Sequence, residues 1–312
     1  LGIGVASYVE TTNPMGSGEY GAVEITNDGG AIVRTGSSSH GQGHHTSWAM
    51  IVSQKTGIPM DKIEFRFGDT DDIERGNGTG GSRSLQVGGT AAQMAAENVI
   101  EIARQKAADL LEAAPEDVVL DAATGAFHVV GSPRPSKTWA EIAIASPVAL
   151  FAEADFTPEG ATFPFGTHVS VVEVDTETGS VAIVRHIACD DAGTILNPLI
   201  VDGQVHGGVA QGIAQALLEE VRYDDGGNPI TSNLADYAFI TAAELPSFER
   251  IPMETPTPRN PLGAKGIGEA GTIGATPAVQ NAVIDAVHHL GVQHIDMPCT
   301  ANRVWAALQS VR

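Results

Sequence analysis

One short stretch of the sequence contains three histidines. Closely spaced histidines are common ligands of zinc and iron. The stretch is SSSHGQGHHTSW, with His40, His44 and His45 around a Gly-Gln-Gly. A zinc-protease helix needs two histidines four residues apart with a glutamate beside the first. His40 and His44 have that spacing, but two glycines separate them and no glutamate adjoins either. The stretch therefore favours a backbone loop over a protein-ligated metal.

Four glycine-rich segments stand before predicted helices and could grip one large polar ligand by main chain. Glycine lets a backbone approach a ligand closely, and the N–H groups at a helix start bind anions. None of the segments fits a nucleotide-binding fingerprint, since GNGTGGSRS lacks the Gly-Lys-Ser/Thr ending of a phosphate-binding loop. The segments are residues 41–43, 76–84, 202–212 and 260–277.

One carboxylate stands out in the last of these segments. Glu269 lies between Gly268 and Ala270, with Lys265 four residues earlier, in a loop that is otherwise almost without charge. Desolvation of a carboxylate on such a loop raises its pKa and suits it to general base catalysis. A surface glutamate in a flexible turn is the alternative that the residues alone leave open. The pair Asp190-Asp191, followed by Gly193, favours a simple turn.

The elements that must position these residues occur twice along the chain. Residues 19–34 predict a hairpin that turns at Asn27-Asp28-Gly29-Gly30, and residues 168–185 predict a second one. Gly41-Gln42-Gly43-His44 follows the first hairpin and Gly203-Gln204-Val205-His206 follows the second, each leading into a predicted helix. These parallels indicate an internal repeat.

The spacing of apolar residues in the rest of the sequence predicts four helices, at 46–56, 86–114, 204–220 and 277–290. The last has Thr276 as its N-cap and Pro277 at its first position. Prolines between residues 133 and 164 predict an irregular region that separates two domains, 1–160 and 161–312. We expect an α+β fold without β-α-β alternation, in which two similar subdomains of hairpins pack against helices, with glycine-rich ligand loops between them.

Composition narrows the class of protein. The formal net charge of −21 argues against nucleic acid or an anionic membrane as a partner, because those require basic faces. Two cysteines are too few for a disulfide framework, which predicts a reducing, cytoplasmic setting. No apolar run reaches the roughly 18 residues that a membrane span needs.

Four ordered motifs resemble the molybdenum hydroxylases, the family of xanthine oxidase, aldehyde oxidase and carbon monoxide dehydrogenase. They are GQGHHT at 41–46, GDTDD with GTGGSRSLQVGG within 68–89, GTILNPLIVDGQVHGGVAQGIAQALLEE at 193–220 and NPLGAKGIGEAGTIGATPAVQNAVIDA at 260–286. The resemblance is to the C-terminal half of the large, molybdopterin-binding subunit, most of all in bacterial carbon monoxide dehydrogenase-like proteins. It implies a molybdenum cofactor whose pterin dithiolene holds the metal, with no protein ligand, in the cytosine dinucleotide form of bacterial members.

The resemblance also implies roles for single residues. Glu269 matches the essential glutamate, which acts as the base when a substrate carbon is oxidised with water as the oxygen source. Gln42 matches the glutamine beside the metal, and Gln211 matches a glutamine that hydrogen-bonds the pterin. The remaining implied cofactor-binding positions are Gly43, His44, Ser82, Arg83, Ser84, Lys265, Gly266 and Gly268.

Large subunits of this family have a further N-terminal half, and nothing in this sequence matches it. We therefore expect the chain to be inactive until that half is supplied, whether it is a shortened subunit or one of two separately encoded pieces. Iron–sulfur clusters and FAD are expected only on partner subunits, in a dimer of heteromers. The substrate stays open among carbon monoxide, aldehydes, purines and other N-heteroaromatic rings. Two alternatives remain, a non-catalytic molybdopterin-binding module and a histidine-dependent metal hydrolase.

Overall fold

The structure, a computed structural model, describes all 312 residues and divides into two compact units. The N-terminal unit comprises residues 13–162 and 257–264, and the C-terminal unit comprises 1–12, 163–256 and 265–312. The strands are β1 (Gly2–Val9), β2 (Glu19–Ile25), β3 (Ala31–Thr35), β4 (Ile63–Arg66), β5 (Val118–Asp121), β6 (Ala126–Val129), β7 (Ser132–Thr138), β8 (Leu150–Phe156), β9 (Phe165–Val174), β10 (Val181–Asp191) and β11 (Glu249–Met253). The helices are α1 (His44–Thr56), α2 (Thr90–Leu111), α3 (Trp139–Ala145), α4 (Pro198–Leu217), α5 (Ala270–His288) and α6 (Ala301–Ser310).

None of these helices has the length and apolar character that a bilayer crossing requires.

A mixed four-stranded sheet in the order β4-β3-β2-β8 forms the centre of the N-terminal unit. β2 and β3 form the predicted antiparallel hairpin, and Gly29 in its turn has a φ of 82° that favours glycine. β4 lies parallel to β3, with α1 between them in sequence. β3, α1 and β4 therefore form a β-α-β unit, which the sequence did not predict. Val23 and Val33 of the sheet and Trp48 of α1 belong to one buried core with α2.

The C-terminal unit repeats this plan in a sheet of order β1-β9-β10-β11. β9 and β10 form the second predicted hairpin, and β11 lies parallel to β10 after α4. Each unit therefore runs hairpin, helix, parallel strand, helix, with a fourth antiparallel strand beside the hairpin. The α+β class and the internal repeat are confirmed at the level of topology.

The compact units differ from a simple division at residue 160. The chain passes from the N-terminal unit to the C-terminal unit after residue 162. Residues 1–12 nevertheless belong to the C-terminal unit, and residues 257–264 belong to the N-terminal unit. β1 pairs with β9 over eight residues, from Gly2 opposite Val172 to Val9 opposite Phe165. This pairing explains why the first strand packs with the C-terminal unit. The assignment of cofactor-binding roles to domains 1–160 and 161–312 stays a prediction.

The glycine-rich segment 202–212 is not a loop, which corrects the prediction. It lies inside α4, which begins at Pro198 after an Asn197 cap. A Cβ on Gly208 would lie 3.0 Å from Gly271 Cα in α5, and one on Gly212 would lie 2.9 Å from the Ala275 side chain. These glycines therefore permit two helices to pack closely. The proposed equivalence of residues 203–206 with Gly41–His44 is also wrong, because the former are helical.

α5 begins at Ala270, seven residues before the predicted start. Thr276 does not cap it, since its hydroxyl donates to the Thr272 carbonyl at 2.9 Å within the helix. Pro277 lies inside the helix on its exposed side. Packing of the first turns against α4 outweighs the preference of proline for a helix start.

Two further predictions need partial correction. The helix predicted at 46–56 begins at His44 and ends before Gly57, but the one predicted at 86–114 divides into a π-helical turn at Ser84–Gly89 and α2. The region expected to be irregular, 133–164, contains most of β7 as well as α3 and β8. Pro133 and Pro135 fit in β7 because it is the edge strand of the sheet β5-β6-β7, where a missing N–H costs little.

Candidate functional site

A buried carboxylate organises the loops of the N-terminal unit. Glu19, the first residue of β2, has a fully buried side chain and accepts a hydrogen bond from Arg83 Nη1 at 3.0 Å. Its oxygens also accept from the Asn77 main-chain N–H at 3.2 Å and from the Ser37 hydroxyl at 3.3 Å. A buried charge requires several partners because its desolvation is expensive. Glu19 therefore ties the loops after β3 and after β4 to the sheet.

Arg83 is directed into the protein. Its Nη1 also donates to the Gly78 carbonyl at 2.8 Å, and its Nη2 donates to the Gly18 carbonyl. The residue is only 5% exposed. Its guanidinium therefore fixes the shape of the 76–84 loop through protein oxygens.

The two loops meet at the Ser38 carbonyl. That oxygen accepts from Gln42 Nε2 at 3.2 Å and from the Thr79 hydroxyl at 2.7 Å, and the Thr79 and Ser84 hydroxyls are 2.9 Å apart. Gln42 Oε1 in turn accepts from the His40 main-chain N–H at 2.6 Å. The structure thus brings Gln42 and Ser84 into one cluster, with the glutamine amide hydrogen-bonded within its own loop.

Open main chain surrounds this cluster. A Cβ placed on Gly41, Gly78 or Gly80 would meet no atom within 4 Å, and Gly43 before α1 has a left-handed φ of 82°. Ser82 has a φ of 52°, and its buried hydroxyl has no hydrogen-bond partner. Open space beside these glycines and an unsatisfied buried hydroxyl suit a polar ligand that approaches the backbone closely.

His44 differs from the two histidines beside it. It is buried with its ring centroid 4.6 Å from that of Trp48, while His40 and His45 are exposed. Burial lowers the pKa of His44 to about 4, so the ring is neutral at pH 7. His44 Nδ1 and Trp48 Nε1 are both buried without partners. Nowhere in the chain do three or more His, Cys, Asp or Glu side chains form a group that could hold a metal ion.

A second buried ion pair fixes the loop before α5 in the C-terminal unit. Lys265 Nζ lies 2.6 Å from Asp191 Oδ2 and also donates to the Thr255 hydroxyl at 2.9 Å. Asp191 Oδ1 accepts from the Thr255 N–H at 2.7 Å and from the Gly193 N–H at 3.1 Å. Asp190 and Asp191 are completely buried at the end of β10, which corrects the interpretation of this pair as a simple turn.

Glu269 immediately precedes α5 as its N-cap residue, and its carboxylate is exposed and makes no hydrogen bond or ion pair. The expectation that this carboxylate is desolvated is not met by the chain on its own. Lys265 is engaged by Asp191 and does not pair with it. Gln211 lies exposed on α4, one turn after Gly208, which packs against α5. Gly266 is buried and Gly268 is exposed.

A buried series of hydrogen bonds, which was not predicted from the sequence, runs across the C-terminal sheet. Ser170 Oγ lies 2.7 Å from His186 Nδ1, His186 Nε2 lies 3.2 Å from His168 Nδ1, and His168 Nε2 lies 3.0 Å from Asp190 Oδ1. The Tyr8 hydroxyl donates to the same Asp190 oxygen at 2.7 Å.

With both imidazoles neutral, every ring nitrogen in this series of hydrogen bonds has a partner. Ser170 then donates to His186, His186 donates to His168, and His168 donates to Asp190. Burial and the neighbouring His168 lower the pKa of His186 to about 4, which favours that neutral form. Burial and Asp190 raise the pKa of Tyr8, so the phenol stays protonated. His186 is therefore neutral and Tyr8 protonated near neutral pH.

The roles of Glu19 and Asp191, the two acids that hold the loops, were not predicted from the sequence. The sequence signal at Asp191 is a pair of aspartates within six residues of the second predicted hairpin. Glu19 carried none, because its partners Asn77 and Arg83 lie 58 and 64 residues away.

Comparison with known proteins assigns this architecture to a family. Residues 1–246 match the family model described as molybdopterin cofactor-binding domain. The chain is 38% identical over 327 residues to the carbon monoxide dehydrogenase large chain of Hydrogenophaga pseudoflava, covering 99% of this chain and 40% of that one.

Solved structures give the same result. A crystal structure of Cu,Mo-CO dehydrogenase superposes with a TM-score of 0.88 at 36% identity, over 99% of this chain and 41% of that chain. Quinoline 2-oxidoreductase from Pseudomonas putida 86 superposes with a TM-score of 0.85 at 35% identity, over 99% and 42%. The chain thus spans about 40% of the length of the relatives it matches. It belongs to the molybdopterin cofactor-binding domain family.

Proposed function

We propose that the chain is the cofactor-binding C-terminal portion of a molybdenum hydroxylase large subunit. The observation that carries this proposal is the loop cluster of the N-terminal unit, with open main chain at Gly41, Gly78 and Gly80 and an unpartnered Ser82 hydroxyl. These features fit a pterin, which is large, polar and rich in hydrogen-bonding groups. When bound, molybdopterin supplies the sulfur ligands of the metal and carries the two-electron redox chemistry.

The residues of this cluster would hold the cofactor in different ways. The main chain at Gly41, Gly43 and Gly80 and the side chains of Gln42, Ser82 and Ser84 are proposed to contact it. His44 offers a neutral, buried Nδ1 beside the same loop. Arg83 is proposed to hold the loop in shape without contacting the cofactor, because its guanidinium already contacts Glu19 and main-chain carbonyls.

Further roles are proposed for residues of the C-terminal unit. Glu269 is proposed as the base that takes a proton from water during substrate oxidation, since its carboxylate is free of protein partners. Lys265 holds the loop with Gly266 and Gly268 in place through Asp191. Gln211 is proposed to hydrogen-bond the pterin from α4.

The proposed reaction oxidises an aldehyde, a purine or other N-heteroaromatic ring, or carbon monoxide, with water as the source of oxygen. Carbon monoxide and quinoline appear in the names of the similar proteins. We propose the cytosine dinucleotide form of the cofactor, iron–sulfur and flavin partner subunits, the remaining part of the large subunit as a further partner, and a cytoplasmic location. The family match favours this function over a histidine-dependent metal hydrolase.

The test is the substitution Glu269→Gln in an enzyme assembled with the rest of its large subunit. The amide keeps the size of the side chain but cannot accept a proton as a base, so we expect molybdenum content to be unchanged and turnover to fall by at least about 100-fold. Glu159→Gln, at another exposed glutamate, is the matched control and should retain both properties.

Retained turnover in the Glu269→Gln enzyme would refute the catalytic role of this residue. A wild-type assembly that binds molybdenum but reduces no artificial acceptor with aldehydes, purines, other N-heterocycles or carbon monoxide would instead identify a non-catalytic cofactor-binding module.

A further inference from the structure

The two faces of the C-terminal sheet have different coverings. α5 covers one face, because a Cβ on Gly2 or Gly4 of β1 would lie about 2 Å from carbonyl oxygens of that helix. The alternate residues of β1 point to the opposite face, and Ile3, Val5 and Val9 are 58%, 53% and 71% exposed there. No element of the chain therefore covers these three side chains.

The aliphatic character continues across the sheet. Val5 lies opposite Val169 of β9, and Ile3 lies opposite Val171. The same side of the sheet also carries an exposed ion pair, Arg185 opposite Val171 with Glu249 on β11. We call the apolar residues on the β1 side the aliphatic face; they are Ile3, Val5, Val9, Val169 and Val171. Contiguous exposed apolar surface of this kind marks an interaction site in a folded protein.

The matching face of the N-terminal sheet shows that the fold does not require this pattern. Arg34 of β3 pairs there with Glu24 of β2 and with Asp72, each at 2.8 Å. Arg75 pairs with Glu153 at 3.1 Å and with Asp155 at 2.7 Å, both on β8. The corresponding face of the C-terminal sheet carries one ion pair, Arg185 with Glu249, on its β10-β11 side, while its β1 side is aliphatic.

We infer that the aliphatic face docks the part of the large subunit that lies outside residues 1–312. About three fifths of each similar large chain lies outside the region matched here, and that part requires a surface on which to pack. A second copy of this chain is disfavoured as occupant, because each copy carries a net charge of −21 and the two would repel. The inference rests on the proposed function, since it takes the chain to be part of such a subunit.

The experiment measures association without using activity. The chain is mixed with a tagged polypeptide comprising the part of the Hydrogenophaga pseudoflava large chain outside its matched region, and the dissociation constant is measured. Val5→Glu combined with Val9→Glu places two charges on the aliphatic face, so we expect binding at least about 30-fold weaker. Phe151→Glu, on the ion-paired face of the other sheet and 40% exposed, is the matched control and should bind like the unchanged chain.

Both altered positions are exposed, so circular dichroism spectra and melting temperatures of the variants should match those of the unchanged chain. Unaltered binding by the double variant, equal loss in the Phe151→Glu control, or no binding by the unchanged chain would overturn the proposal. A dimer of the chain alone, seen by sedimentation and abolished by the double variant, would assign the face to a second copy and would also overturn it. Binding needs neither molybdenum nor turnover, so failure of the Glu269 test would leave this result unaffected.

Discussion

The two units differ in the layer between the sheet and the helix that covers it. In the N-terminal unit the layer beneath α2 is apolar, with Val23 opposite Val33, and the charges lie on the other face. In the C-terminal unit the layer beneath α5 holds His168 and, next along, Ser170 opposite His186. The contrast shows that topology determines where the layers lie but leaves their chemistry open.

The units agree in one respect, which concerns the loop before the second helix. Arg83 in that loop of the N-terminal unit is paired with buried Glu19, and Lys265 in that loop of the C-terminal unit is paired with buried Asp191. Both acids lie at the same end of their central hairpins, Glu19 at the start of β2 and Asp191 at the end of β10. A buried ion pair is weak evidence for stability, so its presence in both units points to control of loop geometry.

The largest effect should come from removing the acids of these two pairs. Glu19→Ala leaves the Arg83 guanidinium buried without its carboxylate, and we expect a loss of about 3–5 kcal/mol in the free energy of unfolding. Asp191→Ala should cost less, roughly 2–3 kcal/mol, because Lys265 Nζ keeps the Thr255 hydroxyl and the Phe163 carbonyl as acceptors. Urea denaturation followed by circular dichroism measures both.

Glu24→Ala serves as the control, since that side chain is part of a partly exposed pair with Arg34 and should cost under about 1 kcal/mol. Equal losses for Glu19→Ala and Glu24→Ala would show that the buried pair does not determine the stability of the loops.

The next effect concerns pH. His186 has a pKa of about 4 in the folded chain against 6.5 when unfolded, so the unfolded state binds more protons between these values. Its contribution to stability is therefore complete above about pH 6.5 and is lost as the pH falls toward 4, by roughly 3 kcal/mol in all. His44 gives the N-terminal unit the same dependence, because its pKa is also lowered to about 4.

Substitution separates the two contributions. His186→Gln and His44→Gln should each flatten part of the pH dependence of the melting temperature between pH 4 and 6.5. The groups that face His186 are Ser170, His168 and Phe248, with Asp190 one step further along the chain of hydrogen bonds. An unchanged pH profile in His186→Gln would show that this ring is protonated equally in both states.

Local signals in the sequence were sufficient for much of the fold. Alternating apolar residues and the Asn-Asp-Gly-Gly turn predicted the first hairpin, and Gly57 predicted the end of α1. The same residue type misled at 202–212, because a glycine that permits helix packing and a glycine that admits a ligand look alike in sequence. The Asp191–Lys265 pair could not be predicted because its two residues are 74 positions apart and meet only in the folded unit.

The smallest effect concerns the contact between the central hairpin and the helix that covers it. In each unit one glycine permits this contact, but it lies on a different element. Between α5 and the hairpin strand β9 of the C-terminal unit the glycine is on the helix, since a Cβ on Gly274 would lie 2.5 Å from the His168 ring. In the N-terminal unit it is on the strand, since a Cβ on Gly21 would lie 2.6 Å from Ala92 N in α2. Gly274→Ala gains about 1 kcal/mol of helix propensity but forces the imidazole aside at a cost of about 1–3 kcal/mol, so we expect a net loss of about 1 kcal/mol.

The double variant Gly274→Ala with His168→Ala decides whether the ring is the cause. Without the imidazole the new methyl group meets no clash, so Gly274→Ala should become neutral or stabilising in that background, as measured by urea denaturation. An equal loss in both backgrounds would place the strain elsewhere in α5. The glycine would then serve the approach to α4, as Gly271 does, and the buried histidine would not be what distinguishes this helix from α2.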